Sequence, residues 1–222
     1  MKYTIKRAFG SYVELDLEKG EVCNAEPGAL VSSSGEIKLE SKLQGGLGGA
    51  LMRSLGGGES LFINKITAQE KAKVVLAGPI AGDVAAIELD NEEYLLGDNC
   101  YFAHTGEVEV TAKLGGLTSL TAGSGLAFAL VKGKGTVFIG AGGSIVEKEL
   151  KDGETFYVDN GSFIAASTKM KIEKFIAGHG LASKILGGEG IMFKVHGPGR
   201  LYYETHSVRS LASLVASMIP KG

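Results

Sequence analysis

Three glycine-led strand starts recur at one spacing along this chain, and that recurrence constrains its fold more than any other feature. Gly58-Glu59-Ser60-Leu61-Phe62-Ile63, Gly123-Ser124-Gly125-Leu126-Ala127-Phe128 and Gly188-Glu189-Gly190-Ile191-Met192-Phe193 begin 65 residues apart. A period of this length marks a supersecondary unit repeated in tandem, which cannot bury its apolar face alone. Other positions keep step. Gly35-Glu36-Ile37-Lys38-Leu39-Glu40 parallels Gly106-Glu107-Val108-Glu109-Val110-Thr111, with a looser third copy over Lys169-Met170-Lys171-Ile172-Glu173-Lys174. Apolar and polar residues alternate in all three with the period of a half-buried strand. Lys19-Gly20-Glu21-Val22 returns as Asp152-Gly153-Glu154-Thr155, and Lys132-Gly133-Lys134-Gly135 returns as His196-Gly197-Pro198-Gly199. Both have the composition of turns.

Glycine supplies 34 of the 222 residues and proline only four, so glycine stands at about twice its usual share of roughly 7%. The glycines punctuate β-branched and aromatic runs, which speaks for many turns rather than for disorder. The units fall at about residues 1–77, 78–140 and 141–206, and no Ser- or Pro-rich linker separates them. The expectation is a single all-β domain over 1–222, its three units sharing a core around a pseudo-threefold axis that covers their strand edges. Residues 207–219 break the pattern. Ser207 has the chemistry of an N-cap, apolar residues follow at helical spacing and Pro220 supplies a stop. This predicts a short C-terminal helix docked through Leu211, Leu214, Val215 and Met218.

Charge and cysteine content exclude several classes. The 23 basic residues are balanced by 25 acidic ones for a net charge of −2, and no basic run exceeds Lys6-Arg7. That argues against nucleic acid as a partner, since such binding rests on clustered cations that neutralise phosphates. No stretch approaches the roughly 20 apolar residues of a membrane-spanning helix, which leaves only peripheral membrane contact. The start, Met1-Lys2-Tyr3-Thr4-Ile5-Lys6, alternates like a strand and lacks a signal core, so a cytoplasmic protein is expected. Cys23 and Cys100 are too few and too distant for a disulfide framework or a metal knuckle and read as buried, inert thiols.

Several motifs together point to a family. Glu26-Pro27-Gly28-Ala29-Leu30-Val31, Gly58-Glu59-Ser60-Leu61-Phe62, Gly82-Asp83 ahead of Ile87-Glu88-Leu89, and Phe193 with Gly197-Pro198-Gly199-Arg200-Leu201 resemble the mitochondrial-biogenesis (altered inheritance of mitochondria) family over nearly the whole chain. The resemblance implies three tandem units similar to the tryptophan-RNA-binding attenuation protein (TRAP-like), each a short double-stranded β-helix. Mitochondrial relatives are linked to inner-membrane organisation, and no catalytic residues are established for the family. RNA binding by analogy with the attenuation protein is opposed by mixed charges on the outward faces, as in Glu36, Lys38, Glu40 and Lys42.

Candidate chemistry is sparse. The glycine-rich stretch from Gly45 to Gly58 lacks the Gly-Lys-Ser/Thr ending of a phosphate loop, and no Gly-x-Ser-x-Gly elbow occurs. Between the glycines stand Leu47, Leu51 and Leu55 at helical spacing with Met52 and Arg53 beside them, and Leu181, Ile185 and Leu186 with Lys184 repeat the idea. These residues either cap the open end of a β-unit or present an apolar, lightly cationic surface for self-assembly, a partner or a lipid interface. His196, Glu204 and His206 are the candidate metal ligands, a carboxylate with two imidazoles. His104 and His179 read as solvated turn residues. Asp83, Asp98, Asp152, Glu154 and Asp159 read as turn acids. The function expected is non-enzymatic binding or scaffolding through the apolar loops, as a homo-oligomer or with another protein, and with no cofactor. A small-ligand or metal-binding cupin-like module is the alternative, and RNA binding comes third.

Overall fold

A computed structural model describes residues 1–43, 62–113, 128–176 and 191–219. Among these, sixteen β-strands and one α-helix make an all-β protein with a short C-terminal helix. The candidate surface residues Leu47, Leu51, Met52, Arg53, Leu55, Leu181, Lys184, Ile185 and Leu186, and His179, lie outside the described residues.

The first stretch forms β1 (Lys2–Lys6), β2 (Tyr12–Leu17), β3 (Val22–Ala25), β4 (Leu30–Ser34), β5 (Ile37–Leu43), β6 (Phe62–Ala68) and β7 (Ala72–Leu76). Period-two patterning decides which face each strand buries. In β2, Val13, Leu15 and Leu17 are buried, while Asp16 is exposed and Glu14 is half-buried. β7 lies between β2 and β4, and β6 lies between β3 and β5. β1 adds to the free side of β2.

The last stretch repeats this pairing. β11 (Ile145–Leu150) and β13 (Phe163–Ser167) flank β16 (Gly199–Glu204), and β12 (Thr155–Asp159) and β14 (Lys171–Ile176) flank β15 (Ile191–His196). In the middle stretch the same order is built from three long strands, β8 (Val84–Gly97), β9 (Tyr101–Lys113) and β10 (Phe128–Gly140), with β10 between the other two. One irregularity is shared by all three stretches. Setting β1 aside and counting each long middle strand as two, the third strand bulges at Val31, at Phe102 and at Ile164, each time against the sixth.

The long strands are bent. Phe128 stands opposite Gly97, and Ile139 stands opposite Tyr101. Only the turn Asp98-Asn99-Cys100 separates Gly97 from Tyr101, whereas an unbent strand of this length would hold the ends of β10 about 40 Å apart. β10 therefore folds back on itself, and both its ends lie at one rim. The bend falls at Gly133, where the register slips and φ is +126°. A Cβ there would come within 2.1 Å of the Glu107 carbonyl oxygen. Gly133→Ala is expected to lower stability by about 2 kcal/mol, measurable as a shift in urea midpoint with an unchanged slope.

Two junctions stitch the stretches together. β3 pairs with the start of β9, placing Cys23 opposite Thr105 and Ala25 opposite Ala103. The end of β8 pairs with β13, placing Tyr94 opposite Ser167 and Leu96 opposite Ala165. Three apolar clusters result, and residues cross these junctions to fill them. Phe102 and Ala103 sit in the cluster of the first stretch, and Ile164 and Ala165 in that of the second.

The C-terminal helix α1 (Val208–Met218) forms as its sequence predicts, with the Ser207 Oγ accepting from the Ser210 N–H. Its docking does not follow the expectation. Leu211, Leu214, Val215 and Met218 are 51–69% exposed, because only the start of the helix touches the β-body. The amphipathic spacing was sufficient to make a helix but not to supply a receiving surface.

Candidate functional site

The rim formed by the strand ends is where side chains of separate stretches meet. A cavity of about 400 Å³ opens there, walled by Gly78, Pro79 and Ile80, by Cys100 in the β8–β9 turn, by Phe163, and by Glu204, Ser207, Val208 and Ala212. Its volume lies in the range of small-ligand sites. Close approach of α1 depends on Gly142, where a Cβ would come within 2.8 Å of Val208 Cγ2.

Glu204 is the carboxylate of this cavity. It accepts hydrogen bonds from the Gly142 N–H at 2.7 Å and the Gly143 N–H at 3.4 Å. Burial raises its pKa, and the two N–H donors act against that rise. The thiol of Cys100 is pushed well up by burial and by the neighbouring acids Glu204, Asp98 and Glu26. Cys23, buried in the first cluster, rises to about 12 through desolvation. Neither thiol has the lowered pKa of a nucleophile.

The three candidate metal ligands are not brought together. His196, on β15, has Nε2 3.1 Å from Glu173 Oε2 and Nδ1 3.2 Å from Thr155 Oγ1. Glu204 is held by the backbone of residues 142 and 143, and His206 Nδ1 lies 3.0 Å from Thr205 Oγ1. Among the described residues no three His, Cys, Asp or Glu side chains converge to hold a metal ion.

His104 departs from its expected place. It lies within β9 at 2% exposure, not in a solvated turn. Its Nδ1 is 2.7 Å from the Tyr101 hydroxyl, and burial lowers its pKa to about 4. Glu26 lies near the same junction, its N–H donating to the Phe102 carbonyl at 2.8 Å. Burial, with the negative charge of Asp98, lifts its carboxyl to about 7. Sequence reasoning passed over Glu26 because it precedes Pro27 and Gly28 and resembles any turn acid. Asp83 does fill a turn role, accepting from the Val84 and Ile145 N–H groups and from the Arg7 guanidinium.

Apolar surface collects at the rim as well. Phe9, in the loop between β1 and β2, is fully exposed in a depression shared with Gly82, Gly143 and His206. Ile80 is 40% exposed, and the face of α1 stands beside it. Several cations on the outward sheet faces are paired with acids, as in Lys132 with Glu109 and Lys73 with Glu14 and Asp16. Among the described residues no helix is long and apolar enough to cross a membrane.

The chain is similar to known proteins in sequence and in fold. The sequence profile of the family described as mitochondrial biogenesis AIM24 matches residues 3–206. An uncharacterised protein of Streptococcus pyogenes serotype M6 is 30% identical over 229 residues, which cover 99% of this chain and 92% of the relative. The crystal structure of another Streptococcus pyogenes protein is similar with a TM-score of 0.78 at 27% identity, covering 98% of this chain and 99% of its own.

Proposed function

The chain belongs to the mitochondrial biogenesis AIM24 family, and from that premise we propose that it is a non-catalytic scaffold attached to a lipid interface through the apolar rim. The observation that carries this reading is the exposed face of α1, where Leu211, Leu214, Val215 and Met218 are each more than half exposed, as is Ile219 just after it. Ser210, Ser213 and Ser217 form the opposite face. An apolar arc backed by serines suits insertion between lipid headgroups. Phe9 and Ile80 extend the apolar surface. The segments carrying Leu47, Leu51, Met52, Arg53 and Leu55, and Leu181, Lys184, Ile185 and Leu186, join the reading on their sequence alone.

Burying one leucine side chain is worth about 2 kcal/mol, and each 1.4 kcal/mol is a factor of ten in affinity. Leu211→Asp with Leu214→Asp is therefore expected to lower partitioning onto phosphatidylcholine vesicles by at least tenfold, measured by co-flotation. The melting temperature should stay unchanged, because both residues are already in water. Equal flotation of variant and parent would remove the helix from the reading. Indifference of the parent to vesicles would shift the weight to the second reading, a small-ligand module using the cavity beside Glu204.

A further inference from the structure

The two junctions between stretches obey one rule, and the chain carries the two halves of a third junction unjoined. In each junction the second strand of one stretch pairs antiparallel with the third strand of the next: β3 with the start of β9, and the end of β8 with β13. The remaining second strand is β12 and the remaining third strand is β4. Both are edge strands of their sheets among the described residues.

Exposure separates the unjoined strands from their counterparts. The shared bulge aligns Val31 with Phe102 and Ile164. Phe102 and Ile164 are 0% exposed, and each plugs the apolar cluster of the preceding stretch, whereas Val31 is 62% exposed. Ser32, Ser33 and Ser34 are likewise exposed where Ala103, His104 and Thr105 are buried. On β12, Tyr157 is 44% exposed, while its counterpart Leu95 is buried. Neither edge carries the lysine or proline that commonly blocks strand addition. Among the described residues the two edges of one chain are not paired with each other, which leaves each open to a strand from another copy.

We propose that this chain assembles head to tail with further copies of itself, β12 of one copy adding antiparallel to β4 of the next. Carrying over the register of the two internal junctions places Phe156 opposite Ser34, Tyr157 opposite Ser33 and Val158 opposite Ser32. Val31 then enters the apolar cluster of the third stretch, beside the half-buried Phe156. Different patches of the two copies meet, so the contact propagates into a ring if the rotation closes and into a filament if it does not.

A contact of this kind has a signature in mixing. Val31→Asp spoils only the β4 half, and Tyr157→Asp spoils only the β12 half. By light scattering coupled to size exclusion, the parent is expected to be an oligomer and each variant alone a monomer with a near-parental melting temperature. An equimolar mixture of the two variants is expected to form a dimer, joined through the one intact β12 and the one intact β4. A monomeric parent at every concentration would overturn the proposal. So would variants that assemble like the parent, or a mixture that stays monomeric. Because neither substitution changes a residue of α1, loss of vesicle binding through the helix leaves these outcomes unchanged.

Discussion

Phe193→Ala is expected to lower the unfolding free energy by about 4 kcal/mol, within the range for removing a fully buried aromatic ring. Phe193 is 0% exposed on β15, its ring centroid 5.5 Å from that of Phe163 and 6.3 Å from that of Phe128. Phe128 comes from the middle stretch and the other two from the last, so this cluster ties the two together. The vacated space is walled by strands on both sides and cannot collapse without breaking ladder hydrogen bonds. For a chain of this size the loss corresponds to a fall in melting temperature of about 8–16 °C. Phe193→Leu, which refills most of the volume, should cost about 1.5 kcal/mol. A loss below about 1 kcal/mol for the alanine variant, read by urea denaturation, would show that the aromatic cluster does not carry the last stretch.

The second large effect is a pair of opposed pH dependences at the junction of the first two stretches. His104 has a folded-state pKa of about 4 against an ordinary value of 6.5. Between these values the unfolded chain binds the proton and the folded chain does not, so this group makes stability rise with pH by about 3 kcal/mol. Glu26 runs the other way. Its folded-state pKa of about 7 lies above the ordinary 4.5, the folded chain holds the proton, and stability falls as pH climbs through the same interval, by less than the His104 effect because Glu26 is only partly buried. The parent protein should therefore show a shallower rise with pH from this junction between about pH 4.5 and 7 than His104 alone would give. His104→Gln leaves Glu26 unopposed and should become less stable as pH rises. Glu26→Gln leaves His104 unopposed and should become more stable. Urea midpoints across this interval measure both slopes, and parallel profiles for the two variants would refute the pairing.

Much of the class was legible from local sequence. The alternation Val13-Glu14-Leu15-Asp16-Leu17 becomes a strand with its odd positions inward, because the pleat alone decides which side chains share a face. The Ser207 cap and the apolar spacing after it made a helix over 207–219 readable, and α1 spans Val208–Met218 with caps at Ser207 and Ile219. The candidate site was less legible. His196, Glu204 and His206 are close in sequence, yet the Gly197-Pro198 turn sends β15 and β16 into different sheets, so proximity along the chain gave no convergence in space. His104 looked like a turn residue beside Gly106, but β9 continues through both and buries the imidazole against Tyr101. The open edges left a trace that could have been read. Where the other stretches place Phe-Ala-His and Ile-Ala-Ala, the first has Val31-Ser32-Ser33, a polar replacement at positions the others bury.

By itself the sequence determined an all-β chain closed by a short helix, because turn glycines, strand periodicity and helix caps act through residues within a few positions of one another. Tertiary structure decided which edges are covered, that the apolar face of α1 is left off the β-body, and that Glu26 and His104 lie at one junction. Those outcomes depend on strands brought together from distant parts of the chain, whose mutual fit no local pattern encodes.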